Sequence, residues 1–196
     1  MNSRDKILNA VRMNQPAPLP LPELDHYTPT NADLQQHFMA ILTTIGGYVH
    51  VVNSNAEMTA ILEKQFPLAG RKMAINEEWK DYATIFSAIK DPHELSDVDI
   101  AIIDAHFGVA ENGSLWVTEE QMGLRAFPFI CQHLVAVIPA KNIVPTMLEA
   151  YEKIGHTAYS FGVFIAGPSK TADIEQSLVL GAHGPKTMTV FLKCEV

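Results

Sequence analysis

Cysteine is scarce in this sequence: only Cys131 and Cys194 occur among 196 residues, and they form no CxxC pair. Disulfide frameworks, structural zinc sites and cysteine-bound iron–sulfur clusters all need more cysteines at closer spacing. The eight histidines are scattered, without an HExxH or His-x-His pair, and no GxGxxG or P-loop occurs. We therefore expect a chain that binds no metal or cofactor itself and keeps both cysteines as core thiols.

Long hydrophobic runs and clusters of basic residues are also missing. The longest apolar runs, such as LVAVIPA, are far shorter than the roughly 20 residues of a membrane-spanning helix. The N-terminal stretch lacks the apolar core of a signal peptide. A formal net charge of −8 disfavours binding to long phosphate backbones. These features predict a cytoplasmic protein with no membrane span and no nucleic-acid partner.

A proline-rich segment divides the chain into two parts, since five prolines fall between Pro16 and Pro29. Proline resists helix formation, so this segment reads as an extended connector. We predict an N-terminal helix and connector over residues 1–30, followed by one domain over residues 31–196. Helical patterns alternate with continuous apolar strands in the domain, which predicts an α/β fold, a three-layer α/β/α sandwich.

The first of two polar motifs is GVAENGSLWV, from Gly108 to Val117. Asn112 and Gly113 form a strong turn signal between two strand-like flanks, which predicts a hairpin. Glu111 lies beside small residues, so its carboxylate either faces solvent on a plain hairpin or points into a cleft. The residues alone leave both interpretations open.

The second motif, GPSKTADIEQSLVLGAHGPKTMTVFL, runs from Gly167 to Leu192. Asp173 is placed to cap a short helix that ends at Gly181. Ser169, Lys170 and Thr171 would approach the loop from His183 to Lys186 if that helix folds back. Backbone N–H groups, a hydroxyl and two cations would then suit a carboxylate or phosphate. In open α/β sheets such sites lie at the carboxyl ends of strands. Simple turns, a cap and solvated lysines would explain the same residues.

Both motifs resemble signatures of the LUD-domain family, the lactate-utilisation proteins, and the match is closest to the short C-type subunit. The family patterns read approximately GPS-[KR]-TADIE-x₃-GxHGP and A-E-[TN]-G-[ST]. The resemblance implies a fold like the group that contains ribose-5-phosphate isomerase, glucosamine-6-phosphate deaminase and CoA transferases. It also implies a role in oxidising L-lactate to pyruvate, together with iron–sulfur and LUD-domain partner subunits.

Matching the motifs residue by residue implies a site for a small anionic ligand. We expect Glu111 and His183 to be candidates for proton transfer, and Lys170 to hold the anion. The remaining candidate ligand-binding residues are Asn112, Gly113, Ser114, Ser169, Thr171, Asp173, Glu175, Gly184 and Lys186. For Asp173, a capping role is an alternative to a role in the site.

Two other functions remain open at this point. Many family members carry threonine where this chain has Asn112, and the resulting ENG resembles the glutamate motif of CoA transferases. Glu111 would then attack an acyl-CoA as a nucleophile. The other alternative is a module that binds a small carboxylate without turnover.

Overall fold

The computed structural model describes all but a few short stretches of the chain: residues 2–17, 19–20, 22, 33–87, 89–171 and 179–194. The chain divides into two compact units, Met1–Thr30 and Asn31–Val196. None of the helices in the described ranges is both long enough and apolar enough to cross a membrane.

In the described residues of the first unit, Ser3–Met13 form helix α1. The Asn2 side chain accepts the Asp5 N–H at 2.9 Å, and the Asp5 carboxylate accepts the Asn2 N–H at 3.4 Å. This reciprocal pair is a capping box, which satisfies backbone donors that a helix N-terminus leaves unpaired.

The second unit alternates helices and strands, numbered here in chain order. The helices are α2 (Leu34–Thr44), α3 (Asn55–Gln65), α4 (Glu119–Met122), α5 (Phe127–Ile130) and α6 (Met147–Ile154). The first six strands are β1 (Tyr48–Val52), β2 (Arg71–Ala74), β3 (Thr84–Ile85), β4 (Val98–Asp104), β5 (Phe107–Val109) and β6 (Ser114–Thr118). The other six are β7 (His133–Pro139), β8 (Ile143–Val144), β9 (Gly162–Ile165), β10 (Lys170–Thr171), β11 (Val179–Leu180) and β12 (Thr187–Lys193). Short 3₁₀ turns occupy Glu77–Trp79 and Pro92–Leu95.

A six-stranded parallel sheet forms the centre of the unit, with strand order β1-β12-β7-β4-β2-β3. Strands β7 and β12 are buried along most of their length. Parallel strands covered on both faces have few positions for polar side chains, which explains the continuous apolar runs in the sequence. The predicted α/β class, a mostly parallel sheet flanked by helices, is confirmed.

A second sheet of four strands, in the order β8-β5-β6-β9, packs beside the parallel one. Its strands β5 and β6 form the predicted antiparallel hairpin, with Val109 opposite Ser114. Strand β9 runs antiparallel to β6, with Leu115 opposite Ile165. This second sheet carries the first motif on its hairpin turn and leads into the second motif where β9 ends.

Three hydrophobic clusters hold these layers together. Phe38 and Leu42 of α2 join the first cluster with β6 and one face of the parallel sheet. Leu62 of α3 belongs to the second cluster, on the opposite face of that sheet. Trp116 of β6 packs with Ile154 of α6 in the third. The second sheet therefore has α2 on one face and α6 on the other.

Two segments differ from the sequence-based expectation. The stretch NIVPTMLEAYEKIG, from Asn142 to Gly155, reads in the sequence as one helix with a proline near its first turn. Ile143–Val144 form β8 instead, and the helix starts only at Met147. Pro145 favours extended backbone in the residue before it, and Thr146 caps the helix by accepting the Glu149 N–H at 3.3 Å.

The helix predicted to end at Gly181 does not reach that residue. Val179 and Leu180 instead form β11, which pairs with β10. Asp173 and Glu175 lie outside the described residues, so the capping role of Asp173 stays a prediction.

Candidate functional site

The two motifs meet at one end of the second sheet. Leu115 pairs with Ile165, so β6 begins beside the point where β9 ends and Gly167 follows. Both motifs also contact the end of α2. A Cβ added to Gly113 would stand 3.1 Å from the Leu42 Cα, and one added to Gly167 would stand 3.2 Å from the Ile45 carbonyl oxygen. The structure thus brings together motifs that lie more than fifty residues apart in the chain.

Glu111 connects the hairpin turn to helix α6. Its backbone N–H donates to the Pro145 carbonyl at 3.0 Å. Its carboxylate Oε2 accepts the Met147 N–H at 2.7 Å. A carboxylate at this position satisfies a backbone donor of the first helical turn and interacts favourably with the helix dipole. This contact gives Glu111 a structural role, although its side chain remains exposed.

The next three residues of the turn are also held by local contacts. The Asn112 Oδ1 accepts both the Ser114 N–H at 3.0 Å and the Ser114 hydroxyl at 2.7 Å. Such a contact from Asn to the residue two positions later stabilises turns. Gly113 has φ +69°, a conformation that glycine adopts without steric cost. Ser114 is only 2 % exposed, so its hydroxyl needs the bond to Asn112.

In the second motif, Ser169 lies against the loop that contains Gly184 and Pro185. The Ser169 N–H donates to the Pro185 carbonyl at 2.9 Å, and the Ser169 carbonyl accepts the Gly181 N–H at 3.0 Å. A Cβ added to Gly184 would stand 3.1 Å from the Ser169 Cβ. The Thr171 hydroxyl donates to the Val179 carbonyl at 3.3 Å. The pairing of β10 with β11 contributes to this arrangement.

Lys170, His183 and Lys186 surround this junction with exposed side chains. The Lys170 Nζ lies 3.4 Å from the position that a Cβ on Gly46 would occupy, just past the C-terminus of α2. Helix C-termini attract cations through their unpaired carbonyls. Within the described residues, no hydrogen bond or ion pair engages any of these three side chains. The junction can therefore offer two positive charges to an anion.

The second motif occupies the amino edge of the parallel sheet. It leads directly into β12, and the Lys186 N–H donates to the carbonyl of Gln132, the residue before β7, at 2.8 Å. The sequence predicted that the second motif lies at the carboxyl end of a strand. It does follow the carboxyl end of β9, but it lies at the amino ends of the parallel strands β7 and β12. The usual ligand position in an open parallel sheet is thus on the opposite edge.

Comparison with known proteins places the chain in a family, because residues 35–192 match the LUD domain model. The chain belongs to the LUD-domain family. A protein named "Lactate utilization protein C" from Geobacillus thermodenitrificans is 26 % identical over 195 residues, which is 93 % of this chain and 76 % of that protein. The resemblance seen in the two motifs is confirmed.

Two further relatives carry the same name. One from Oceanobacillus iheyensis is 32 % identical over 49 % of this chain, and one from Geobacillus kaustophilus is 35 % identical over 48 %. These alignments span only 43 % and 41 % of the relatives' own length. A crystal structure of a DUF162 family protein from Deinococcus radiodurans matches with a TM-score of 0.61. At 18 % identity it covers 84 % of this chain and 99 % of that one, and it shows a shared fold.

The LUD domain also holds a polar network at the carboxyl edge of its parallel sheet, which the motifs did not indicate. The Asn76 amide donates to the Asp104 carboxylate at 3.1 Å. The Glu78 carboxylate accepts hydrogen bonds from Asn55 at 3.1 Å and from Lys193 at 2.9 Å. Burial raises the pKa of Asp104, whereas the bond from Lys193 lowers the pKa of Glu78. In the sequence, the feature that indicates this network is Asp104, the aspartate that ends the apolar run VDIAIID.

A second polar group that sequence reasoning missed is a ring of hydrogen bonds around His106. The Thr118 N–H donates to the Gln121 Oε1 at 2.8 Å, which fixes the orientation of that amide. Gln121 therefore donates its Nε2–H to the His106 Nδ1 at 3.0 Å. The His106 Nε2–H donates to the Thr118 hydroxyl at 3.0 Å, and that hydroxyl donates to Gln121 at 2.9 Å. Burial also lowers the pKa of His106, and the nearby Glu120 opposes this effect.

The two cysteines occupy different environments. Cys131 is buried, as expected for a core thiol, and burial raises its pKa to about 12. Cys194 is partly exposed at the end of β12. Both the burial and the raised pKa favour a packing role for the Cys131 thiol.

Proposed function

We propose that this protein is a subunit of a lactate-utilisation system and supports the oxidation of L-lactate to pyruvate. The observation that carries this proposal is the match of residues 35–192 to the LUD domain, together with relatives named lactate utilization protein C. The oxidation releases two electrons and two protons. Iron–sulfur clusters are usually held by several thiolates, so we assign electron transfer to cluster-bearing partner proteins, including a LUD-domain partner.

Within this subunit, we propose that the junction of the second motif binds the anionic group of a small carboxylate. Lys170 and Lys186 supply positive charge there, and Ser169 and Thr171 supply hydroxyls. In support, neither lysine forms an ion pair among the described residues, so an incoming anion would displace water rather than break an existing contact. An ammonium group acts on an anion as a point charge on a flexible stem.

We assign different roles to the two candidates for proton transfer. His183 is exposed on the loop after β11, beside the proposed anion site. It is therefore the better candidate to exchange a proton with a bound hydroxy acid. Glu111 is engaged with the Met147 N–H at 2.7 Å, which favours a role in holding the hairpin turn on α6. The same contact weighs against the alternative in which Glu111 attacks an acyl-CoA.

The test is a reconstitution with the proposed iron–sulfur and LUD-domain partner proteins. The assay follows L-lactate-dependent reduction of an electron-accepting dye by the wild type, Lys170→Met and Lys186→Met. Lys64→Met on α3 is a matched control, because it removes an exposed lysine from the opposite face of the parallel sheet. We expect at least a tenfold loss of activity in the first two variants, about 1.4 kcal/mol of lost stabilisation, and none in the control.

Two results would contradict this proposal. Full lactate oxidation by the isolated chain would remove the need for partner proteins. Normal activity of both lysine variants would exclude the proposed anion site. Thermal unfolding against L-lactate, pyruvate and acetyl-CoA separates the alternatives, since a ligand that binds only the native state raises the midpoint. A midpoint raised by acetyl-CoA alone would favour acyl transfer. Saturable lactate binding without turnover in the complete system would favour a binding module.

A further inference from the structure

A cleft of about 220 Å³ opens on the outer face of the second sheet, away from the second motif and from the turn of the first, although Trp116 of the first motif lines it. Its floor comes from β5 and β6, and its sides come from α6 and the segment that follows that helix. We call it the aromatic cleft, because Phe107, Trp116 and Tyr159 line it. None of the residues proposed for the anion site above takes part in it.

The shape of the aromatic cleft depends on Trp116. This indole packs edge-to-face against Tyr159, with ring centroids 5.3 Å apart. Gly162 lies against the indole, and a Cβ there would overlap the Trp116 ring. Ile154 completes an apolar wall. Flat apolar walls of this kind favour a planar ligand, which can stack on the rings or meet their edges.

Lys153 supplies a positive charge to the lining of the aromatic cleft. The Lys153 Nζ lies 4.9 Å from the centroid of the Phe107 ring, within reach of a cation–π contact. Within the described residues, no carboxylate forms an ion pair with Lys153. Thr157 adds a hydroxyl at the same side of the cleft. His106, also in the lining, uses both ring nitrogens in its hydrogen-bonded ring and supplies a polar edge.

We propose that the aromatic cleft binds a small aromatic carboxylate, with its ring against Trp116 and Phe107 and its carboxylate on Lys153. The volume suits this class, since an apolar cavity of about 150 Å³ accommodates benzene and the extra space admits a carboxylate. L-lactate has no flat apolar body to cover these walls. The site is therefore separate from the proposed anion site, and it stands whether or not lactate binds there.

The test uses the two tryptophans, because Trp79 lies in the second hydrophobic cluster, on the opposite face of the parallel sheet. In Trp79→Phe, all tryptophan fluorescence comes from Trp116. Benzoate is the probe, benzamide its neutral equivalent of the same shape, and pyruvate the non-aromatic anion. Lys153→Met in this background removes the charge but keeps an apolar stem, and Lys64→Met is the matched control. Thermal unfolding of the full-length protein with the same panel gives a second measurement if Trp79→Phe folds poorly.

We expect benzoate to change the Trp116 emission saturably, with a Kd on the order of 1 mM. Lys153→Met should weaken benzoate binding about fivefold, the effect of one exposed ion pair, and leave benzamide binding unchanged. Lys64→Met and Lys170→Met should bind benzoate as the parent does. No saturable benzoate response by either method would overturn the proposal. Equal benzoate affinity in Lys153→Met, or a Trp116 emission change that saturates with pyruvate as readily as with benzoate, would overturn it too.

Discussion

The two polar motifs look equally functional in the sequence, but the structure uses their polar side chains differently. In the turn from Glu111 to Ser114, each polar side chain has a partner within the protein. In the loops around Ser169 and Gly184, the backbone is held by hydrogen bonds while Lys170 and Lys186 point outward. The first motif therefore mainly joins elements of the fold, whereas Lys170 and Lys186 of the second have no partner among the described residues.

Burial explains the contrast. Gly113 and Ser114 lie in the interior, where the turn meets α2, and an unpaired polar group there is costly. Lys170 and Lys186 are exposed, so water already satisfies their ammonium groups. Substitutions in the first motif should thus change stability, and substitutions in the second should change binding.

The largest effect should come from Gly113→Val. Gly113 has φ +69°, and a Cβ would stand 3.1 Å from the Leu42 backbone. Strain at a β-branched residue with positive φ, added to overpacking, should lower the free energy of unfolding by roughly 2–4 kcal/mol. Urea denaturation measures it, with Gly184→Ala as the control, because its nearest contact is the side chain of Ser169. A smaller loss of stability for Gly113→Val than for Gly184→Ala would contradict the structural role assigned to the turn.

Glu111→Gln should have a smaller effect. The amide oxygen can still accept the Met147 N–H, but the charge that interacts with the α6 dipole is lost. We expect a loss of about 0.3–1 kcal/mol in stability and lactate-dependent activity close to wild type in the reconstituted system. If Glu111→Gln lost all activity but kept its fold, that result would support Glu111 as a nucleophile.

The stability of the protein should also depend on pH, because of His133 at the start of β7. Burial lowers the pKa of His133, helped by Lys186 and opposed by Asp99. The unfolded chain, with an ordinary pKa near 6.5, then binds the proton more tightly than the folded one. The contribution of neutral His133 to the free energy of unfolding is therefore fully present above about pH 6.5, and it decreases as the pH drops below that value.

Burial also lowers the pKa of His50 and His106, so both add to the same trend. Urea midpoints at pH 7.5 and pH 5.5 measure the loss. His133→Asn should reduce the difference between the two midpoints. An unchanged difference in this variant would assign the pH dependence to other groups.

The smallest effect on stability should come from Lys170→Met. Its side chain is exposed and unpaired among the described residues, so the free energy of unfolding should change by less than about 0.5 kcal/mol. The same variant should lose most lactate-dependent activity, which is the opposite of the behaviour expected for Gly113→Val. A large drop in its unfolding midpoint would show that Lys170 stabilises the end of α2 instead.

Local sequence patterns account for those parts of the fold that could be predicted from the sequence. The continuous apolar runs of β4, β7 and β12 specified buried parallel strands, because only such strands can lack polar positions. Asn112-Gly113 specified the hairpin. The helix predicted up to Gly181 was wrong at Val179 and Leu180, since pairing with Lys170 and Thr171 overrode the local helical pattern.

The sequence alone was enough for the α/β class, for most strands and for the family, because periodicity and motifs are local properties of a chain. Tertiary structure decided which motif residues have partners, since a contact such as Glu111 with Met147 joins residues 36 positions apart. It also decided where the aromatic cleft and the Asp104 network lie. Those sites combine residues from separate strands and helices, and no pattern along one stretch of chain records that they will meet.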